Sequence, residues 1–234
     1  QNFTANQQIY RNVVCSLNVG RADRVIVGAH YDVFGDQDGA DDNASGVAGV
    51  IETARILAEQ KSKLPNNVDF VFYSLEEPPF YKTEQMGSYV HAKSVQSQKD
   101  KIKGVYILEM IGFFSEQPIQ SYPVGLKWIY PSHGNFIATV SNVSSRDLGA
   151  GYCTAMQQLD LLECQRLVAP SFANAFDFSD HLNYWEFDIP AVMITDTAFY
   201  RNGHYHTKAD RLATLNLTKM ANVIDGLVQH LLKP

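Results

Sequence analysis

Basic side chains are scarce in this chain. Lys and Arg number 19 of 234 residues against 25 Asp and Glu, a net charge of -6. A nucleic-acid surface needs clustered cations to displace counterions from phosphate, so nucleic acid is not an expected partner. No apolar run approaches the roughly 20 residues that a membrane-spanning helix requires, so no membrane span is expected either. Internal repeats, low-complexity tracts and Pro/Gly/Ser linkers are missing too, and the hydrophobic and charged fractions, 45% and 19%, are ordinary. A single domain over residues 1–234 is therefore the expectation. The three cysteines, Cys15, Cys153 and Cys164, match no zinc-site spacing. Cys153 and Cys164 are near enough in sequence to close a small disulfide loop, which would imply an oxidising compartment. Two inert buried thiols fit equally well. The opening QNFTANQQIY has neither an initiator Met nor a signal-peptide pattern, and reads as a mature or trimmed chain. An extracytoplasmic location, periplasmic or secreted, is the expectation; the composition says nothing of oligomeric state.

Several segments have the character of strands: 10–19, 24–29, 68–75, 104–110 and 189–196. Most are continuous apolar runs, the pattern of strands covered on both faces. Helical spacing predicts helices over Gly46–Glu59, about 84–95, about 135–145 and roughly 217–232. The stretch 150–188, with Asp177, Asp180 and His181, reads as loops around a pocket. Alternating strands and helices predict a three-layer α/β sandwich with a mainly parallel sheet. In such sheets ligands bind beyond the carboxyl ends of the strands.

Chemistry-bearing residues gather at those strand ends. His30 closes VIVGAH; alone it could be a packed core histidine, but Asp32 two residues on could hold its second ring nitrogen and fix the tautomer. GADDNASG could be an ordinary turn into the next helix, yet a site for two cations needs one bridging carboxylate, and Asp41 or Asp42 could supply it. Glu76 and Glu77 follow VDFVFYSL, and two adjacent acids are a poor structural choice for a strand end. Neighbouring residues point in different directions, so one could bind metal while the other faces a bound water as general base. Glu109 interrupts VYILEMIG, where an unpaired acid is costly to bury; a metal or a salt bridge would compensate it. GHYHTKAD supplies His206, with His204 as competitor and Tyr205 between them. Three carboxylates and two imidazoles make an awkward cluster without cations. Two divalent ions and a bridging hydroxide would bring the charges of Asp42, Glu77 and Glu109 to balance.

In order along the chain, VIVGAHYD, GADDNASGV, SLEE, LEMIG, SDH and YHTKAD resemble the zinc aminopeptidases of the bacterial leucyl aminopeptidase type. That family includes glutamate carboxypeptidase and has glutaminyl cyclase as a relative. The likeness spans roughly residues 10 to 230. It implies an α/β sandwich with a mixed, mostly parallel sheet, two Zn²⁺ ions and a peptide substrate. His30, Asp42, Glu77, Glu109 and His206 then stand as ligands, with Asp42 bridging. Glu76 is similar to the general base and Tyr205 to a residue that helps hold the oxyanion, while Asp32 and Asp180 support the ligands. One departure is Glu109, where familiar members carry Asp; the added methylene moves the carboxylate by about 1.5 Å. The family's usual N-terminal helical segment is also not seen.

Two other functions compete. A single-zinc glutaminyl cyclase shares Asp-Glu-His ligation, but EEPPFYKTEQMGS lacks a Trp, and Tyr205 stands where that class would carry one. A non-catalytic binding domain of the same fold normally loses ligands or the base, whereas all of them remain here.

Overall fold

The computed structural model describes residues 1–123, 125–169 and 178–233. Asp177, expected near the pocket, lies outside the described residues. Strands β1 (Asn2–Ala5) and β2 (Gln8–Arg11) form a small antiparallel hairpin of their own. The main sheet has seven strands: β3 (Val13–Leu17), β4 (Arg24–His30), β5 (Asn67–Tyr73), β6 (Ile102–Glu109), β7 (Phe136–Asn142), β8 (Glu163–Ala169) and β9 (Ala191–Thr195). Their spatial order is β3-β5-β4-β6-β9-β7-β8. The central run β5-β4-β6-β9 is parallel, with β3 and β7 antiparallel to their inner neighbours.

Burial explains why the central strands lack strict alternation. In β4, Val25, Val27 and Ala29 enter one core and Ile26 the other, and in β6 Tyr106 and Leu108 oppose Val105 and Ile107. Both faces are covered, so apolar residues are needed at every position. Helices α1 (Gly46–Glu59), α3 (Arg146–Leu159) and α5 (Leu217–Leu231) pack on one face. The other carries α2 (Gly87–Val95) and the short α4 (His181–Glu186), whose Ala92 and Tyr184 complete the second core. The result is the three-layer sandwich, its sheet mixed and mostly parallel. No helix among the described residues is long and apolar enough to cross a membrane.

Three expectations are corrected. Residues 135–145 are not a helix: Phe136–Asn142 is strand β7, buried along nearly its whole length. Its β-branched residues, Ile137, Thr139 and Val140, suit a sheet covered on both sides. Nor is 150–188 mainly loop, since it holds most of α3, then β8 and α4. Helix α3 is hard to see because Gly149 and Gly151 weaken its propensity. Close packing requires both: a Cβ at Gly149 would come within 2.8 Å of Thr139 Oγ1, and one at Gly151 within 2.5 Å of the His230 ring. The single strand expected over 10–19 is divided between β2 and β3.

Cys153 of α3 and Cys164 of β8 form a disulfide, with Cα atoms 5.3 Å apart, while Cys15 is free and exposed. The two bridged residues are 11 apart in sequence, and closing a loop of this size contributes about 3 kcal/mol. A Cys153→Ser/Cys164→Ser double variant is expected to unfold at lower urea concentration, with about that much less unfolding free energy, measured by circular dichroism. An unchanged midpoint would show that the disulfide is dispensable for stability.

Candidate metal centre

The parallel strands deliver their carboxyl ends to one place. His30 is the last residue of β4, Glu76 and Glu77 follow β5, and Glu109 is the last residue of β6. All four are buried. Asp42 reaches the same point from the turn 40–45 that opens into α1.

That turn is anchored from both sides. Asp41 N–H and Asp42 N–H donate to the two carboxylate oxygens of Asp210 at 2.9 and 3.1 Å. The Asn43 side chain accepts from Met110 N–H at 3.0 Å and donates to Leu108 O at 2.9 Å, tying the turn to the end of β6. Asp41 turns its carboxylate away, accepting from Gly112 N–H at 3.0 Å and Asn202 Nδ2 at 2.7 Å. Of the two candidates in GADD, Asp42 is therefore the one that faces the histidines.

Its two oxygens face different partners. Asp42 Oδ1 lies 3.4 Å from His30 Nε2, and Asp42 Oδ2 lies 3.2 Å from His206 Nε2. Glu109 Oε2 is 3.4 Å from His30 Nε2, and Glu77 Oε2 is 3.3 Å from His206 Nε2. Two sets that could hold a metal ion result, His30–Asp42–Glu109 and Asp42–Glu77–His206, each with ligand atoms within 4.8 Å of one another. Tetrahedral zinc with bonds of about 2.0–2.2 Å separates its ligand atoms by roughly 3.3–3.6 Å, which the observed spacings approach. His30 Nε2, His206 Nε2 and Glu77 Oε1 are buried without a hydrogen-bond partner among the described residues. Buried polar atoms are normally paired, so this donor set fits zinc.

Glu109 reaches the centre despite its extra methylene. Its Oε2 also accepts from Ser179 Oγ at 2.7 Å and from Asn43 Nδ2 at 3.4 Å. Glu76 Oε2 stands 4.0 Å from His30 Nε2. Asp32 does more than was expected of it. Its backbone oxygen lies 3.1 Å from His30 Nδ1 and its carboxylate Oδ1 3.6 Å, while the carboxylate accepts the Glu76 and Glu77 N–H groups at 3.2 and 3.1 Å. Asp180 is fully buried beside these groups, and its carboxyl oxygens have no hydrogen-bond partner among the described residues. His204 packs edge-on against Phe113 instead of joining the cluster. Tyr205 and Phe34 stack on opposite sides of His206. Asn43, Ser179, Asp210 and Phe34 carried no signal in the sequence, because a supporting role depends on a contact and not on a motif.

Crowding shifts the titration of these groups. Burial pushes the Glu76 carboxyl well above its ordinary range, against the pull of His30, and takes Glu77 up to about 8 with help from the Asp42 charge. Burial likewise takes Asp180 up to about 7. Asp42 goes the other way, to about 2, because the His206 and His30 imidazoles facing it outweigh its burial. His30 rises well above the usual imidazole value: burial lowers it, but the Glu109 and Glu76 charges win.

A cavity opens from Asp42, Glu76 and Glu109. Its walls are chiefly apolar, among them Tyr122, Phe136, Phe178, Met193 and Phe199.

Residues 12–231 match the family model described as Peptidase family M28. The chain belongs to peptidase family M28. It is a peptidase by that membership. This M28 chain is 42% identical over 229 residues to Escherichia coli (strain K12) YfbL, a protein described as uncharacterized, covering 94% of this chain and 69% of that one. It is 26% identical over 226 residues to leucine aminopeptidase 1 of Ajellomyces capsulatus (strain NAm1 / WU24), covering 88% of this chain and 52% of the relative. It therefore spans about half the length of that fungal relative. Among solved structures, BSAP, a zinc aminopeptidase from Bacillus subtilis, has a TM-score of 0.71 at 18% identity, covering 96% of this chain and 50% of that one. Porphyromonas gingivalis glutaminyl cyclase has a TM-score of 0.70 at 20% identity, covering 99% and 82%. The fold is thus common to hydrolases and cyclases, and the site has to discriminate between them.

The sign of the pH dependence follows from the shifts. In the metal-free protein Glu77 holds a proton up to about pH 8, whereas in the unfolded chain it loses it near ~4.3. Glu76 and Asp180 are shifted in the same direction. The folded state binds more protons over this window, so stability falls as pH rises through it. Asp42 acts oppositely, but only below about pH 4. With chelator present, the melting temperature is expected to fall from pH 5 to pH 8, and the gain from saturating zinc to grow over the same range. A zinc effect that shrinks towards pH 8 would contradict this.

Proposed function

We propose that the protein is an aminopeptidase holding two Zn²⁺ ions, one at His30, Asp42 and Glu109 and the other at Asp42, Glu77 and His206. The observation that carries this is the Asp42 carboxylate, whose two oxygens serve separate His-acid sets at 3.4 and 3.2 Å. When bound, zinc lowers the pKa of water from 15.7 towards ~7 and polarises a scissile carbonyl.

The chain's own residues perform the remaining steps. Glu76 takes a proton from the attacking water and returns it to the leaving amine. Its position 4.0 Å from His30 Nε2, on the cavity wall, supports that role. Asp32 fixes Glu76 and Glu77 through their backbone N–H groups and so holds base and ligand in register. Tyr205 lines the same cavity, and burial together with the nearby carboxylates raises its phenol pKa, so the hydroxyl stays protonated. It donates to the tetrahedral oxyanion, a contact worth about 3–4 kcal/mol in comparable sites. The acidic site attracts the free α-amine of a peptide, and the apolar cavity receives a bulky hydrophobic N-terminal side chain.

The cyclase alternative calls for one zinc, whereas two ligand sets converge here on one carboxylate. Product analysis separates the two: hydrolysis frees an amino acid, while cyclisation of a Gln-peptide releases ammonia. The Cys153–Cys164 disulfide supports an oxidising, extracytoplasmic setting.

Glu76→Gln is expected to lower kcat on aminoacyl chromogenic substrates by about 10²–10⁴-fold with zinc content unchanged. Activity near that of wild type at full zinc content would remove Glu76 from the mechanism.

A further inference from the structure

The two histidines of the centre are held by different means. The His30 ring is oriented by a hydrogen-bonding contact, with Nδ1 3.1 Å from the backbone oxygen of Asp32. A metal-binding histidine usually has such a partner on its second nitrogen. His206 has none for Nδ1 among the described residues, and its side chain keeps 21% exposure. Its ring is instead clamped between two others. Tyr205 stacks at 3.7 Å with a 17° interplanar angle, and Phe34 at 4.1 Å with a 4° angle.

Phe34 comes from a loop distant in sequence. Within it Val33 lies against the bare face of Gly39, where a Cβ would meet its Cγ1 at 2.5 Å. Lys208 Nζ pairs with Asp36 Oδ2 at 2.9 Å, and Arg211 Nε lies 3.6 Å from Asp38 Oδ2. These contacts join the loop to the segment that carries His206. Phe34 itself remains 37% exposed, so its ring is not there to fill a core.

We propose that Phe34 is a positioning residue for His206: it closes the second face of the imidazole and keeps Nε2 aimed at Asp42 and Glu77. Stacking thus does for His206 what the Asp32 backbone oxygen does for His30. The role rests on the two-zinc function proposed above. It also separates the two ion sites, because the imidazole it stacks on, His206, belongs to the set of Asp42 and Glu77, while His30 serves the other.

The test is a zinc titration of the metal-free full chain by isothermal calorimetry, for wild type, Phe34→Ala, Phe34→Tyr and His206→Ala. Phe34→Ala is expected to bind one zinc with wild-type affinity and the other roughly 3- to 10-fold more weakly, the range a stacked aromatic pair supports. The weakened equivalent should be the one that His206→Ala loses, and Phe34→Tyr should restore it. Equal affinities in Phe34→Ala and wild type, or an equal weakening of both equivalents, would overturn the role of Phe34. A wild-type chain that takes up fewer than two zinc ions would overturn the two-zinc function itself, and this role with it.

Discussion

Asp42, Glu76, Glu77, Glu109 and Asp180 are all withdrawn from water at one end of the sheet, and among the described residues the ion pairs of the first four are made with two imidazoles. Burial, with like charges held this close, raises a carboxyl's proton affinity, as at Glu77, which reaches about 8. A fold can keep such a cluster only if protons or cations neutralise it. The rest of the architecture serves that constraint: the backbone N–H groups of Asp42, Glu76 and Glu77 donate to buried carboxylates behind them, and Ser179 donates to Glu109 Oε2. Asp210 holds the Asp42 turn, Asp32 holds the Glu76–Glu77 pair, and Ser179 holds Glu109.

The parallel core of the sheet makes this economical. Strands β4, β5 and β6 are neighbours and run the same way, so three consecutive carboxyl ends lie side by side without any long-range adjustment. Only Asp42 and His206 must come from elsewhere, and both sit on turns pinned by Asp210 and its segment. His206 is the more exposed of the two histidines, and it depends on aromatic stacking where His30 depends on the strand and on Asp32.

Much of this was legible in the sequence, and the reason is positional. A polar residue at the end of an unbroken apolar strand stands out, which is how His30, Glu76–Glu77 and Glu109 declare themselves. Helix α1, with regular spacing and no interior interruption beyond Gly49, was readable to its ends at Gly46 and Glu59. Strand β7 was not, because burial on both faces removes the alternation that distinguishes a strand from a helix of similar composition. Helix α3 hid behind the glycines that its packing demands. Supporting residues such as Asn43, Ser179 and Phe34 could not be read at all, since their roles exist only once distant segments meet. The choice between Asp41 and Asp42 likewise waited on Gly112 and Asn202, which claim the Asp41 carboxylate.

The central claim is that one carboxylate, Asp42, is shared between two cations. Anomalous diffraction at the zinc edge from crystals of the zinc-saturated protein tests it directly. The account predicts two peaks roughly 3.5–4 Å apart, one on each side of Asp42 and each within bonding distance of one histidine. A single peak, or a pair of which Asp42 touches only one, would contradict it.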